Sequence, residues 1–162
     1  MNPNEQLIEE FYAALASGHA NTMASCYHED IVFEDPVFGV LKGKAVSDMW
    51  KMLIERSKGN LKIEFSNVVA DSHSGTARWI ATYHFSKTNR EVVNKIWASF
   101  EFKDGLIIKH TDHFNLWTWS QQAFGFQGFL LGWTDFMKGK IREQAHLSLK
   151  KYQDSNPELT AS

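Results

Sequence analysis

Residues 91–112, EVVNKIWASFEFKDGLIIKHTD, decide the fold. Asn94, Ile96, Ala98, Phe100 and Phe102 alternate with Lys95, Trp97, Ser99, Glu101 and Lys103. A period of two with one apolar face describes a strand half-buried against a core. Lys103-Asp104-Gly105 then marks a tight hairpin, because Asp-Gly readily takes the positive φ angles that two-residue hairpin turns need. The return strand, predicted over 106–117, carries Leu106, Ile108, His110, Asp112, Phe114 and Leu116 on one face.

Two more strands precede this pair. Residues 76–86 set Ala77, Trp79, Ala81, Tyr83 and Phe85 against Arg78, Thr82, His84 and Ser86, with Lys87 to Arg90 as the next turn. Residues 61–71 align Leu61, Ile63, Phe65 and Val69, and His73-Ser74-Gly75 turns the chain. The N-terminal part is helical instead. Leu7, Ile8, Phe11 and Leu15 predict a helix over 4–17, and a second, short helix spans 20–27. Ile31 to Glu34 is a short strand stopped by Asp35-Pro36, because proline cannot donate to a ladder. Gly39 and Gly43 flank a loop. Val46, Met49, Trp50 and Leu53 form the stripe of a helix over 44–57. After the strands comes Phe124 to Gly132, rich in Phe, Leu and Gly. Thr134 to Tyr152 follows as an amphipathic helix carrying Phe136, Met137, Ile141, Ala145, Leu149 and Tyr152.

Helices followed by a run of strands indicate α+β. The expected architecture is a curved antiparallel sheet closed by the N-terminal helices into a cone-shaped pocket, residues 1–120. Residues 121–153 are a C-terminal helical extension of the same domain, and 154–162 a frayed tail.

With 162 residues, the chain fits one domain with one core. Aromatics reach 14%, enough to wall a pocket or an interface. A net charge of −2 offers no electrostatic basis for nucleic acid. No apolar run approaches a membrane span. The start, MNPNEQLIEE, is polar and acidic where a signal peptide is basic and then apolar. Cys26 is the one cysteine, so no intrachain disulfide can form, and a reducing cytoplasm is the expected location. It reads as an inert, buried helix residue.

Polar residues on an otherwise apolar face mark the candidate site. His110 and Asp112 share a face with Ile108, Phe114 and Leu116. A carboxylate there must be paired, or its pKa rises and it becomes a proton shuttle. Asp35 ends a strand whose inward face is Ile31 and Phe33, which makes it a candidate general base. Each has a purely structural alternative: Asp35 as a turn residue before proline, and the His110–Asp112 couple as a hydrogen-bonded pair within the sheet. Trp50, Trp79 and Tyr83 suit a core as well as a pocket wall. By strand parity His84, His113, Trp97 and Trp117 face outward, and the exposed aromatics suggest a homodimer through the outer sheet face. No tight Cys/His cluster is present, and Gly125-Phe126-Gln127-Gly128 follows no strand–helix phosphate unit. Neither metal nor cofactor is expected.

The segment Tyr27-His28-Glu29-Asp30-Ile31-Val32-Phe33-Glu34-Asp35-Pro36 resembles the Y-x-x-D…D-P segment of the nuclear-transport-factor-2-like superfamily. Gly105-Leu106-Ile107-Ile108-Lys109-His110-Thr111-Asp112 resembles the G-x-I-x-x-H-x-D last strand of its SnoaL-like branch. That superfamily holds ketosteroid isomerases, polyketide cyclases and limonene-epoxide hydrolases. The likeness in element order covers residues 5 to 117. It implies Asp35 as the general base of the isomerases and Asp112, helped by His110, as the acid/base of the cyclases. The sequence departs from the isomerases at both oxyanion donors: Phe11 stands where the helix tyrosine would be, with Tyr12 one step round, and Ala98 stands where a protonated aspartate would be. The arginine of the epoxide hydrolases has no counterpart on the inner face, because Arg78 lies on the outer one. The expected ligand contacts are Phe11, Phe33, Trp50, Trp79, Tyr83, Asn94, Ala98 and Phe114. The function implied is a cofactor-independent isomerase, cyclase or lyase acting on a small, mostly apolar carbonyl, polyketide or steroid-like substrate. The alternative is a non-catalytic binding or dimeric interaction module of the same fold.

Overall fold

The hairpin of residues 91–112 forms as its alternation requires, in a computed structural model that describes residues 1–131 and 134–159. β4 (Ser74–His84) and β5 (Glu91–Lys103) pair antiparallel from Ser74↔Glu101 to His84↔Glu91. β6 (Leu106–His113) returns through Asp104 and Gly105, both at positive φ (54° and 74°). β3 (Lys62–Ala70) completes this side, while β1 (Tyr27–Asp35) and β2 (Gly39–Lys42) form the other. The strand order is β2-β1-β6-β5-β4-β3, a curved, open sheet with β2 and β3 as its edges.

Several details differ from the sequence reading. The sheet is mixed, because β1 runs parallel to β6 and every other neighbouring pair is antiparallel. Most of the domain lies between β1 and β6 in the chain, which leaves ample length for a parallel crossover. The loop expected at Gly39 to Gly43 is β2. β1 begins at Tyr27, so the second helix, α2 (Ala20–Ser25), is shorter than predicted. β6 carries a bulge: Glu101 pairs Lys109 and Phe102 pairs Ile107, which leaves Ile108 as the extra residue. The bulge reverses parity, so Ile107 is fully buried and Ile108 only partly so. Parity from His110 onward is unaffected, but the strand ends at His113 and Leu116 opens a helix.

α1 (Pro3–Ala16) starts with a reciprocal cap. Asn2 Oδ1 accepts from the Asn4 amide, and Glu5 Oε2 accepts from the Asn2 amide. Its buried residues include Ile8, Phe11, Tyr12 and Leu15, at i, i+3, i+4 and i+7. Tyr12 takes the place expected of Leu7, which sits at the flank. Each fully buried Ile, Phe or Leu contributes roughly 1.5–3 kcal/mol. α3 (Lys44–Ser57) buries Val46, Met49, Trp50 and Met52 and leaves Leu53 at the stripe's margin.

Beyond β6, Asn115 caps α4 (Leu116–Phe124), and α5 (Phe126–Leu131) follows. Thr134 then caps α6 (Asp135–Ser155), whose Oγ1 accepts from the Met137 amide. α6 buries Ile141 and Leu149, whereas Phe136, expected in its stripe, is 71% exposed. It lies against α3 through Tyr152 Oη donating to Glu55 (2.6 Å) and Gln153 Nε2 donating to Asp48 Oδ2 (2.8 Å). Within the tail predicted from residue 154, residues 154 and 155 continue this helix and Pro157–Leu159 form a 3₁₀ turn. The rest of that tail (160–162) and Gly132 lie outside the described residues.

Candidate active site

The concave face of the sheet, α3 and α6 enclose a cavity of about 360 Å³. Of the residues singled out from sequence, Asp35, Trp50, Trp79, Tyr83, Asn94, Asp112 and Phe114 line it. Phe11, Phe33, Ala98 and His110 do not. All four are fully buried behind the wall. Phe11 and Phe33 pack edge-on to the His110 ring, with centroids 5.4 and 5.1 Å away. Ala98 sits opposite Asp112 across β5 and β6. These positions support the site from behind and cannot touch a ligand in the cavity as built.

His110 and Asp112 alternate inward on β6, two residues apart, and meet directly. His110 Nε2 lies 3.0 Å from Asp112 Oδ1, and Trp79 Nε1 donates to the same oxygen at 3.2 Å. On the far side of the imidazole, Nδ1 is 2.8 Å from Tyr27 Oη, which accepts from Trp50 Nε1 at 3.0 Å. The indole can only donate. Satisfying every group therefore fixes one proton order: Trp50 N–H to Tyr27 oxygen, Tyr27 O–H to His110 Nδ1, and His110 Nε2–H to Asp112. Burial pushes the Tyr27 hydroxyl well above its ordinary pKa, so it keeps its proton. The second oxygen of Asp112 has no hydrogen bond among the described residues. The residue is 3% exposed and that exposure opens to the cavity.

Asp35 ends β1, where the strand breaks into the turn toward β2. Its Oδ1 accepts from the amides of Val37 (2.9 Å) and Phe38 (2.6 Å), so it fills the structural turn role as well as lining the cavity. Burial pushes its pKa up to about 7, reinforced by the charge of Asp112. The two amide bonds and Arg142 act in the opposite direction but are outweighed. α6 is fixed to this turn, since His146 Nε2 meets the Phe38 carbonyl. Tyr83 completes the polar set. Its hydroxyl accepts from Trp119 Nε1 at 2.8 Å, and burial pushes its pKa up to about 12.

Sequence reasoning missed Tyr27 and Trp119, and it predicted the helix that is α6 without assigning its residues to the site. Tyr27 shares the parity of Ile31, Phe33 and Asp35, which would have revealed it had the strand been started earlier. Trp119 and the α6 residues enter by tertiary packing and leave no local signal. Trp117, expected on an outer strand face, is on α4, where its Nε1 donates to the Phe129 carbonyl at 3.1 Å. Cys26 caps α2 and is buried, and burial raises its pKa to about 11. Among the described residues, no group of three or more His, Cys, Asp and Glu side chains is arranged to hold a metal ion. No described helix is long and apolar enough to cross a membrane.

An open curved sheet with helices over an acid-bearing hollow defines the class. Residues 8–110 match the SnoaL-like domain, and the chain belongs to that family. Similar solved structures include Bal32a from a soil-derived mobile gene cassette, at 22% identity over 74% of this chain and 95% of that one, with a TM-score of 0.66. A candidate polyketide cyclase of Xanthomonas campestris pv. campestris is 19% identical over 72% and 93%, with a TM-score of 0.58. An LEH-like epoxide hydrolase of M. tuberculosis is 21% identical over 80% and 91%, with a TM-score of 0.56. At these identities the likeness establishes the fold alone. No curated protein matches the chain.

Proposed function

We propose that this protein is a cofactor-independent acid/base enzyme that moves a proton next to the carbonyl of a small, mostly apolar substrate. The supporting observation is that two carboxylates, Asp35 and Asp112, line one apolar cavity, with Asp35 titrating near neutrality. A base whose pKa sits near the working pH combines adequate strength with adequate population. In this reading Asp35 removes a proton alpha to the carbonyl. The Tyr83 hydroxyl, its oxygen already occupied by Trp119, turns its own proton to the developing oxyanion. Asn94 lines the same cavity and adds an amide donor. Asp35 then returns that proton, to a second carbon in an isomerisation or to the new alkoxide in a ring closure, while the Asp112 carboxylate, held by His110 and Trp79, favours the protonated form of Asp35 by its charge, so no proton is gained or lost over the cycle.

The test needs no knowledge of the natural substrate. Aryl ketones and β-keto esters are incubated in D₂O, and exchange at the alpha carbon is followed by NMR. The wild type is expected to catalyse exchange. Asp35→Asn and Asp112→Asn should each slow it by roughly 10²–10⁴. Undiminished exchange in both variants would falsify the assignment.

The mostly apolar lining of the cavity favours a second reading, a binding module without chemistry. Recovery of an unchanged ligand from the purified protein, with no exchange on any ketone, would select it. We also propose a homodimer through the outer sheet face, where Trp97 is 45% exposed and its ring lies 4.9 Å from that of His113.

A further inference from the structure

The cavity is electrically polarised. At its inner end are Asp112 and Asp35, and no other carboxylate lines it among the described residues. At its open end the lining includes Arg56, Lys87 and Lys140, all exposed. Their positions follow from α6. Lys140, Gln144 and Ser148 are spaced i, i+4 and i+8, so they share one helix face over about 12 Å. Lys87, from the turn between β4 and β5, reaches Gln144 Oε1 at 3.3 Å. Arg56, from the last turn of α3, reaches the Ser148 carbonyl at 3.5 Å. Lys140 Nζ lies 5.7 Å from the centroid of the Phe136 ring. Among the described residues none of the three cations is in an ion pair. Arg56 has a second role, since a cation in a helix's last turn offsets the dipole. The two lysines have no such role.

We propose that the substrate is an amphipathic acid, with a carboxylate at the α6 edge of the mouth and an apolar, carbonyl-bearing end inserted toward Asp35 and Asp112. The inference rests on the catalytic reading of the same cavity and adds the substrate class to it. The orientation is set by charge. A carboxylate driven inward would meet two acids in an apolar wall, whereas at the mouth it meets three unpaired cations and water. The apolar middle accounts for the rest of the molecule. Arg56 and Lys87 lie within residues 8–110, whereas α6 and its Lys140 lie beyond them.

The experiment compares ω-phenylhexanoate with ω-phenylhexanol, the same skeleton without the charge, by isothermal titration calorimetry at low ionic strength. The acid is expected to bind roughly tenfold tighter than the alcohol, the sum of a few exposed ion pairs. Lys87→Gln with Lys140→Gln should bring the two within about twofold, and Lys87→Glu with Lys140→Glu should reverse the order. Asp112→Asn should keep the preference, since it acts at the other end. Equal affinities in the wild type, or an undiminished preference in the lysine variants, would overturn this inference and leave the catalytic reading standing. Failure of both probes to bind at millimolar concentration would overturn both. A charge preference accompanied by unaltered carbonyl exchange in the Asp35 and Asp112 variants would sink the catalytic reading alone.

Discussion

Asp35 holds its carboxyl against opposing demands. The turn asks for an acceptor, and two backbone amides supply the donors, while the surrounding apolar wall disfavours charge. The wall dominates. The carboxyl titrates near 3.8 when unfolded and near 7 when folded. Between those values the folded state keeps a proton that the unfolded state has released, so stability falls as pH rises through the window and levels off above 7. The ceiling is about 4 kcal/mol, and partial opening to the cavity lowers it. Asp35→Asn keeps the acceptor and removes the charge. In urea denaturation it should match the wild type near pH 4 and exceed it by about 2–4 kcal/mol near pH 8. A gain that does not change with pH would refute the linkage. Tyr12 poses a different question. Its hydroxyl is buried, has no hydrogen-bond partner among the described residues, and feels the charge of Asp112. An orphaned donor destabilises, so Tyr12→Phe should leave stability unchanged or raise it by about 1 kcal/mol. A loss larger than that in thermal or urea unfolding would mean that the hydroxyl has a partner, such as a bound water. Both aspartates and His110 were legible from strand parity alone, because a polar side chain repeating on an apolar face stands out at period two. The proton order through Tyr27 and Trp50 was not, since it joins three elements of the fold, α3, β1 and β6.

Elements were legible wherever the pattern was long. β5 has the predicted bounds, and α3 spans the predicted 44–57, where its apolar stripe runs between Gly43 and the left-handed Lys58. The misreadings occur where one residue resets the count. The bulge at Ile108 exchanged the faces of Ile107 and Ile108, and Asn115, a good cap, began a helix where the alternation had continued the strand to residue 117. Gly75 has a packing role that no sequence pattern displays. A Cβ there would lie 2.9 Å from Ile8 Cδ1, 3.1 Å from Ala70 Cβ and 3.2 Å from Phe102 Cε2. Its bare backbone therefore lets α1 and its buried Ile8 settle on the end of β4. Gly75→Ala should cost about 1–3 kcal/mol through overpacking, read as an earlier urea midpoint with an unchanged slope. Ile8→Val in the same chain should recover part of the loss, since it removes the nearest methyl. Without that recovery, the steric account fails in favour of a backbone one.

At the scale of the whole molecule, the two faces of the sheet have divided the work. The inner face spends its aromatics on the cavity wall, where Trp50 and Trp79 also orient the Tyr27–His110–Asp112 chain. The outer face places Trp97 and His113 directly opposite each other in the β5–β6 register, both exposed and with their rings 4.9 Å apart. The cavity is closed by α6 from within the chain, so the outer aromatics are not needed to complete it. The dimer proposed through them is therefore separable from the site. In a two-fold interface every substitution enters twice. Trp97→Asp therefore removes two rings and adds two like charges at the contact, while its strand position leaves the core untouched. Light scattering after size exclusion should give the wild type at twice 18.6 kDa and the variant at 18.6 kDa. Carbonyl exchange per chain should be unaltered in the variant. A wild type that elutes as a monomer ends the dimer proposal, and loss of exchange on dissociation would show that the partner helps to hold the cavity in shape.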